Sequence, residues 1–243
     1  MDRRMLLKMT GAAALLSRAG LAADYARQPK LPAEVAGVTQ PRSGLALAAA
    51  GFAQQNCPDF LFNHCMRTFT FGALLLQRQR LAFNADTAFV ASALHDLGLL
   101  RPFESPLGSF EIDGADAAEK FMLERHRSVA DGDQVWHAVE MHDGKWALTA
   151  RQGPEAMLVS LGAGADVYGP DPRELEARQV AEVLAAFPRL QFKQRFTSLL
   201  IAHCERKPNS QRSTWLDGVC RRHVPSVEAD SVEQRIAAAN FSE

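Results

Sequence analysis

Apolar residues recur at three- and four-residue steps along most of this chain, the period of helices that bury one face. Ser43 stands ahead of GLALAAAGFAQQN as an N-cap, its hydroxyl placed to accept from the first unpaired N–H groups of a helix. Pro58 opens a second stretch, PDFLFNHCMRTFTFGALLLQRQRL, in which Leu61, His64, Cys65, Thr68, Phe69, Gly72 and Leu75 share one side. A third helix begins at Asn84 or Asp86 and runs through DTAFVASALHDLGLL. A loop from Pro102 to Ser109 leads into FEIDGADAAEKFMLERH, with a helix start expected near Asp113 or Gly114. Further helices are predicted in SVADGDQVWHAVEMH (Ser128 to His142), in EAMLVSLGAGADVYG from Glu155 or Ala156, at 173–186 and at 190–207; TWLDGVCRRH closes the ordered part, with a short helix open at 232–239. No segment alternates convincingly over six residues, and there is no internal repeat, heptad or glycine-rich phosphate loop. The prediction is an all-α, single-domain protein of about seven to nine helices.

The two ends of the pattern differ from its middle. MDRRMLLKMTGAAALLSRAGLAA carries Arg3 and Arg4, a short apolar stretch and small residues near Ala22 and Ala23. That order is an export signal of twin-arginine type, over residues 1–23, and its apolar part is too short to span a membrane. A periplasmic or secreted protein is expected, with the export machinery as a partner; a cytoplasmic one follows if the signal does not function. Residues 24–43, with Pro29, Pro32 and Pro41, form a linker or an arm lying on the domain, which occupies 44–243. Net charge is −1, and no polybasic run is present, so neither nucleic acid nor an anionic membrane is an expected partner. A small-molecule substrate is expected, and self-association into a homo-oligomer stays open. Cys57, Cys65, Cys204 and Cys220 include no C-x-x-C pair, which argues against a cysteine zinc site. Bridges 57–65 and 204–220 are conceivable, but free buried thiols are the favoured reading.

Candidate chemistry centres on His95-Asp96, adjacent polar residues inside the apolar run VASALHDLGLL. His64 lies 31 residues before His95, and Asp166 lies 70 residues after Asp96. Imidazole nitrogen with carboxylate oxygen suits a divalent transition metal, zinc first, with iron or manganese as alternatives. Each residue alone has an ordinary explanation: a lone helical histidine is usually a core or surface residue, and Asp166 could cap a helix. Asp96 buried without a cation or hydrogen bonds would be costly.

The segments FNHCMRTFTFG, ALHDLGL and GAGADVYG resemble the HD-domain superfamily, whose pattern is H…HD…D around a metal. FEIDGADAAEKF, VWHAVEMH and FKQRFTSLLIAHCERKP make the resemblance closer to its cyanamide-hydratase-like branch. The resemblance implies an HD-type helical domain with His64, His95, Asp96 and Asp166 as metal ligands and His142 in the pocket. His137, five residues before His142 on the same helix, cannot readily point to the same ion. After His142, HDGKWALTARQG departs from the branch's threonine-rich, glycine–proline turn, which bears on the substrate more than on the metal. The loop after the HD pair is placed to reach over the metal, with Glu104 as a candidate catalytic acid beside Asp96 and His142. Phe103 and Asp113 are candidate substrate contacts there, and Phe110 and Glu111 further neighbours. Arg67, three residues beyond His64, could hold an anionic substrate or form a helix–helix ion pair.

Two reactions fit. The first is hydration or hydrolysis of a small nitrile- or cyanamide-like molecule by metal-activated water. The alternative is hydrolysis of a phosphate ester or nucleotide, the commoner HD activity, which needs cations around the phosphoryl oxygens. Arg67, Arg101 and Lys145 are the nearest in sequence.

Overall fold

A computed structural model of the protein describes residues 30–240 except 145, 172, 213, 226 and 228–231. The export signal at 1–23 and the first part of the 24–43 arm lie outside the described residues. The elements are β1 (Glu34–Val35), β2 (Val38–Thr39), α1 (Gly44–Asn56), α2 (Asp59–Arg78), α3 (Ala85–Leu94), α4 (Phe110–Glu124), α5 (Val129–Glu140), α6 (Trp146–Thr149), α7 (Pro154–Tyr168), α8 (Ala177–Ala186), α9 (Phe192–Arg206), α10 (Asp217–His223) and α11 (Val232–Ala237). Nine of these helices have seven residues or more, and the fold is all-α as expected.

Helix starts follow local chemistry. Ser43 Oγ accepts from Ala46 N at 3.1 Å, and Asn84 Oδ1 from Thr87 N at 3.1 Å. Ser128 and Asp131 form a reciprocal capping box at the start of α5. α4 starts earlier than expected, at Phe110 behind Ser109, so Asp113 sits inside its first turn. The arm departs from the reading in one respect. Residues 34–39 form a two-stranded antiparallel hairpin, turned by Ala36 and Gly37 at positive φ, that buries Val35 and Val38. Two-residue strands are too short to show a period in sequence.

α2 is the central helix. Sixteen of its twenty residues are buried, so it is covered on nearly every side rather than along one stripe. Its main partner, α7, comes within backbone contact. A Cβ at Gly162 would stand 1.9 Å from the Thr68 carbonyl oxygen, and one at Gly72 would stand 2.1 Å from that of Leu158. Only glycine permits this approach, and it has a consequence one turn away. His64 lies four residues before Thr68 and Asp166 four after Gly162, so the crossing carries these two side chains together.

Cys204 on α9 and Cys220 on α10 form a disulfide with Cα atoms 5.0 Å apart, whereas Cys57 and Cys65 are buried free thiols. The favoured reading of four free thiols is corrected for the C-terminal pair, because the turn after α9 folds α10 back onto it. The bridge spans 16 residues of sequence. Replacing both cysteines by serine is expected to cost about 3 kcal/mol by the loop-closure relation, seen as a lower urea midpoint. An unchanged midpoint would show that the closed segment contributes nothing.

Candidate metal centre

The HD pair sits where α3 ends. His95 keeps helical dihedrals, and Asp96 turns to φ −98, ψ 10 and starts a 3-10 turn over Leu97–Leu99. Asp96 is therefore in the sparsely populated bridge region frequent at functional sites. Ending the helix frees the Ser92 carbonyl, and His95 Nδ1 donates to it at 2.8 Å. The same device recurs at the end of α5, where His142 Nδ1 donates to Val139 O at 2.6 Å. His64, in the middle of α2, instead donates Nδ1–H to Asp166 Oδ2 at 2.7 Å.

These bonds decide the tautomers. With each Nδ1 a donor to an oxygen that can only accept, each neutral ring presents a bare Nε2. The Nε2 atoms of His64 and His95 face each other at 3.2 Å. Asp96 Oδ2 lies 3.4 Å from one and 3.3 Å from the other, and has no hydrogen-bond partner among the described residues. All three residues are at most 1% exposed. Burial pushes the His95 imidazole down to about 3, against the pull of Asp96. Three buried acceptors converge with no donor between them, which is costly unless a cation fills the space. Their ligand atoms all lie within 4.8 Å of one another, so this His64–His95–Asp96 cluster can coordinate a divalent ion.

The structure does not bring Asp166 into that cluster. Its carboxylate is behind His64, on the Nδ1 side. Arg67 grips it in bidentate fashion, Nε to Oδ1 at 2.7 Å and Nη2 to Oδ2 at 2.8 Å, and Arg189 Nη1 adds a third contact at 2.7 Å. Burial alone would raise its pKa, but the hydrogen bonds from His64 and Arg67 hold it well below the usual carboxylate range. The arrangement is a carboxylate–histidine pair, in which the carboxylate fixes the orientation of the ring. Arg67 is accordingly no substrate contact here: it is fully buried, and its Nη1 also donates to Phe187 O and Pro188 O.

The loop residues are likewise committed elsewhere. Glu104 binds Arg206 and faces His203 Nδ1 at 3.2 Å, which is 99–102 residues away in the chain, and it does not line the cavity. Asp113 accepts from Ser105 N at 3.1 Å, from Ser105 Oγ at 2.5 Å, and from Lys207. Phe103 packs against Phe52, with ring centroids 5.9 Å apart. All three pin the loop to the domain rather than reach the metal cluster. Arg101 is exposed, and Lys145 lies outside the described residues.

A cavity of about 190 Å³ opens onto the cluster. His142 lines it, with Nε2 3.7 Å from Asp96 Oδ1, whereas His137 is exposed on the other side of α5. The remaining wall is mostly apolar: Phe110, Ala163, Val167, Phe196 and Trp215, with Tyr168 at the rim receiving a hydrogen bond from Trp215 Nε1 at 2.5 Å. Phe192 stacks on the His64 ring at 4.8 Å. Sequence reasoning missed Arg189, Phe192, Phe196 and Trp215, which come from segments remote from the histidine motifs. It also missed His203, a buried histidine on α9 that burial pushes down to about 4. Asp143, directly after His142, also lines the cavity, and that adjacency was the signal for it.

Against known families, the sequence matches the HD domain over residues 61–182, a span that holds His64, His95, Asp96, His142 and Asp166. No curated protein matches the chain. The match reaches the superfamily without selecting a branch. With half of its length in that match and a buried His-His-Asp cluster at the expected histidines and HD aspartate, the chain belongs to the HD domain family.

Proposed function

We propose that this protein is a metal-dependent hydrolase of small molecules, with phosphate esters first among its substrates. The observation that carries the reading is the donor-free convergence of His64 Nε2, His95 Nε2 and Asp96 Oδ2 beside a cavity. His64, His95 and Asp96 would hold a divalent ion, which would supply Lewis acidity to water at the site. The bare Nε2 of His142 is placed to accept a proton from water in the cavity. Asp166 and Arg67 act through His64 by keeping its ring oriented. Family membership supports phosphate-ester hydrolysis, the activity most commonly associated with HD domains. The cavity's size favours a compact ester over a whole nucleotide, since pockets for larger ligands run to about 300 Å³ and above.

A second reading, hydration of a nitrile- or cyanamide-like molecule, is favoured by a different observation. No lysine or arginine is among the described residues that line the cavity, and most of its wall is apolar. A small neutral substrate needs no cation beyond the metal. The Cys204–Cys220 disulfide supports the export reading, because such bonds persist outside the reducing cytosol.

Purified protein is expected to carry about one equivalent of a transition metal, as one three-ligand site implies. Elemental analysis that finds under about a tenth of an equivalent after metal-replete expression removes the proposal. Turnover of p-nitrophenyl phosphate and small phosphomonoesters, set against cyanamide and small nitriles, decides between the readings. Exclusive turnover of the second group reverses their order.

A further inference from the structure

Several glycines of the helical core are held to that residue by close neighbours. A Cβ at Gly98 would stand 2.0 Å from the Phe110 carbonyl oxygen, and one at Gly114 would stand 2.7 Å from that of His95. Gly164 differs. It lies inside α7 with φ outside the left-handed region, and a Cβ there would meet none of the described atoms within 4 Å. Neither packing nor dihedral angle calls for glycine at this position, and helix propensity opposes it. Gly164 lines the cavity, so the space left by its missing side chain belongs to the site.

The surroundings of that space have two characters. Ser160, Ala163, Gly164, Val167 and Tyr168 follow one face of α7 along the cavity, at the three- and four-residue steps of a helix. Ser160 and Tyr168 stand four residues to either side of Gly164, about 6 Å along the axis in each direction. Tyr168 accepts a hydrogen bond from Trp215 Nε1, which bridges this end of α7 to the segment between α9 and α10. Phe110 and Phe196 add apolar wall. Asp96 borders the same cavity, 1% exposed and with Oδ2 unpartnered among the described residues. One cavity thus joins a free, buried acceptor of the metal cluster to an apolar compartment flanked by α7.

We infer that Gly164 is the specificity-determining residue of this site, and that the room it leaves accepts a compact apolar leaving group of about the size of a phenyl ring. The inference rests on the hydrolase reading for the bond that breaks and deepens it by naming the substrate class, a phosphate monoester of a small phenol or apolar alcohol. The cavity of about 190 Å³ is large enough for such a group, since an apolar cavity of about 150 Å³ holds benzene. Among the described residues no lysine or arginine lines it, so nothing there receives a second anionic group. A side chain at 164 would project into this compartment and take the place of the leaving group.

Gly164→Ala and Gly164→Leu test this in the full-length, metal-loaded protein. Both variants should keep their metal content and helical circular dichroism, and Gly164→Ala should melt at or above the wild-type Tm, because alanine replaces glycine in a helix beside open space. A Tm several degrees lower in Gly164→Ala shows a packed position and overturns the inference. In kcat/KM, the preference for phenyl phosphate over methyl phosphate should fall about tenfold in Gly164→Ala and about 100-fold in Gly164→Leu, through KM rather than kcat. An unchanged preference in Gly164→Leu overturns the inference and leaves the hydrolase reading standing. Calorimetric binding of phenylphosphonate and methylphosphonate supplies a readout without turnover: Gly164→Leu should weaken the first about 100-fold more than the second. If the wild type hydrolyses neither ester, the hydrolase reading fails, and selective loss of phenylphosphonate binding in Gly164→Leu still supports the size-setting role of Gly164. Equal phenylphosphonate binding in wild type and Gly164→Leu, or none in the wild type, overturns that role.

Discussion

His95→Ala is expected to lose nearly all bound metal and about a thousandfold in hydrolytic rate, with its helical circular dichroism retained. The residue is fully buried, and among the described residues its own anchors are few: Nδ1 holds the Ser92 carbonyl, and Nε2 faces His64 and Asp96. Truncation therefore removes one of three ligand atoms and leaves the Asp96 carboxylate with His64 Nε2 at 3.4 Å and His142 Nε2 at 3.7 Å. Loss of the ring should cost the fold no more than an ordinary large-to-small core change, about 2–5 kcal/mol. The catalytic loss is larger in its effect, because several kcal/mol of Lewis-acid stabilisation correspond to about three powers of ten in rate. The measurement is metal content by elemental analysis beside kcat on the active probe. An H95A protein with full activity and a full equivalent of metal would exclude the cluster as the reaction centre.

Arg67→Ala has the largest expected effect on stability. Its guanidinium is fully buried and makes four of the contacts that join α2 to α7 and to the turn before α9: two to Asp166, one to Phe187 O and one to Pro188 O. Removing it leaves Asp166 as a buried carboxylate held only by His64 and by the partly exposed Arg189. Breaking one side of a buried pair costs about 3–5 kcal/mol, far more than the pair itself contributes. For a domain of this size that is a fall in Tm of roughly 10 °C. Arg67→Lys should recover part of the loss, because it restores the charge without the two-pronged geometry. Wild-type Tm in R67A would show that Asp166 is held by something other than this grip. Metal affinity should fall by about 10–100-fold at the same time, since His64 loses the partner arrangement that orients it.

Helix starts were legible because their causes are local. Ser43, Asn84 and Ser128 each satisfy N–H groups within three residues of themselves, so a short window of sequence contains both donor and acceptor. The His64, His95 and Asp96 cluster was legible for another reason, their resemblance to a recurring pattern. Asp166 shared in that pattern, and in the fold its carboxylate lies on the Nδ1 side of His64, held by Arg67 and Arg189. Glu104 and Asp113, read as a candidate acid and a candidate substrate contact, have partners that no short window contains: Arg206 and Lys207 lie at the end of α9, 94–102 residues away.

By itself, the order of residues determined the helical class, the caps, and which side chains had the chemistry to bind a metal, because period, capping and ligand type are properties of short windows. The tertiary structure alone decided which charges neutralise one another. Arg67 with Asp166, Arg206 with Glu104 and Lys207 with Asp113 are pairings made across about a hundred residues. Their energies depend on burial and on distances of a few ångströms, quantities that exist only once helices such as α2 and α7 have closed on each other through Gly72 and Gly162.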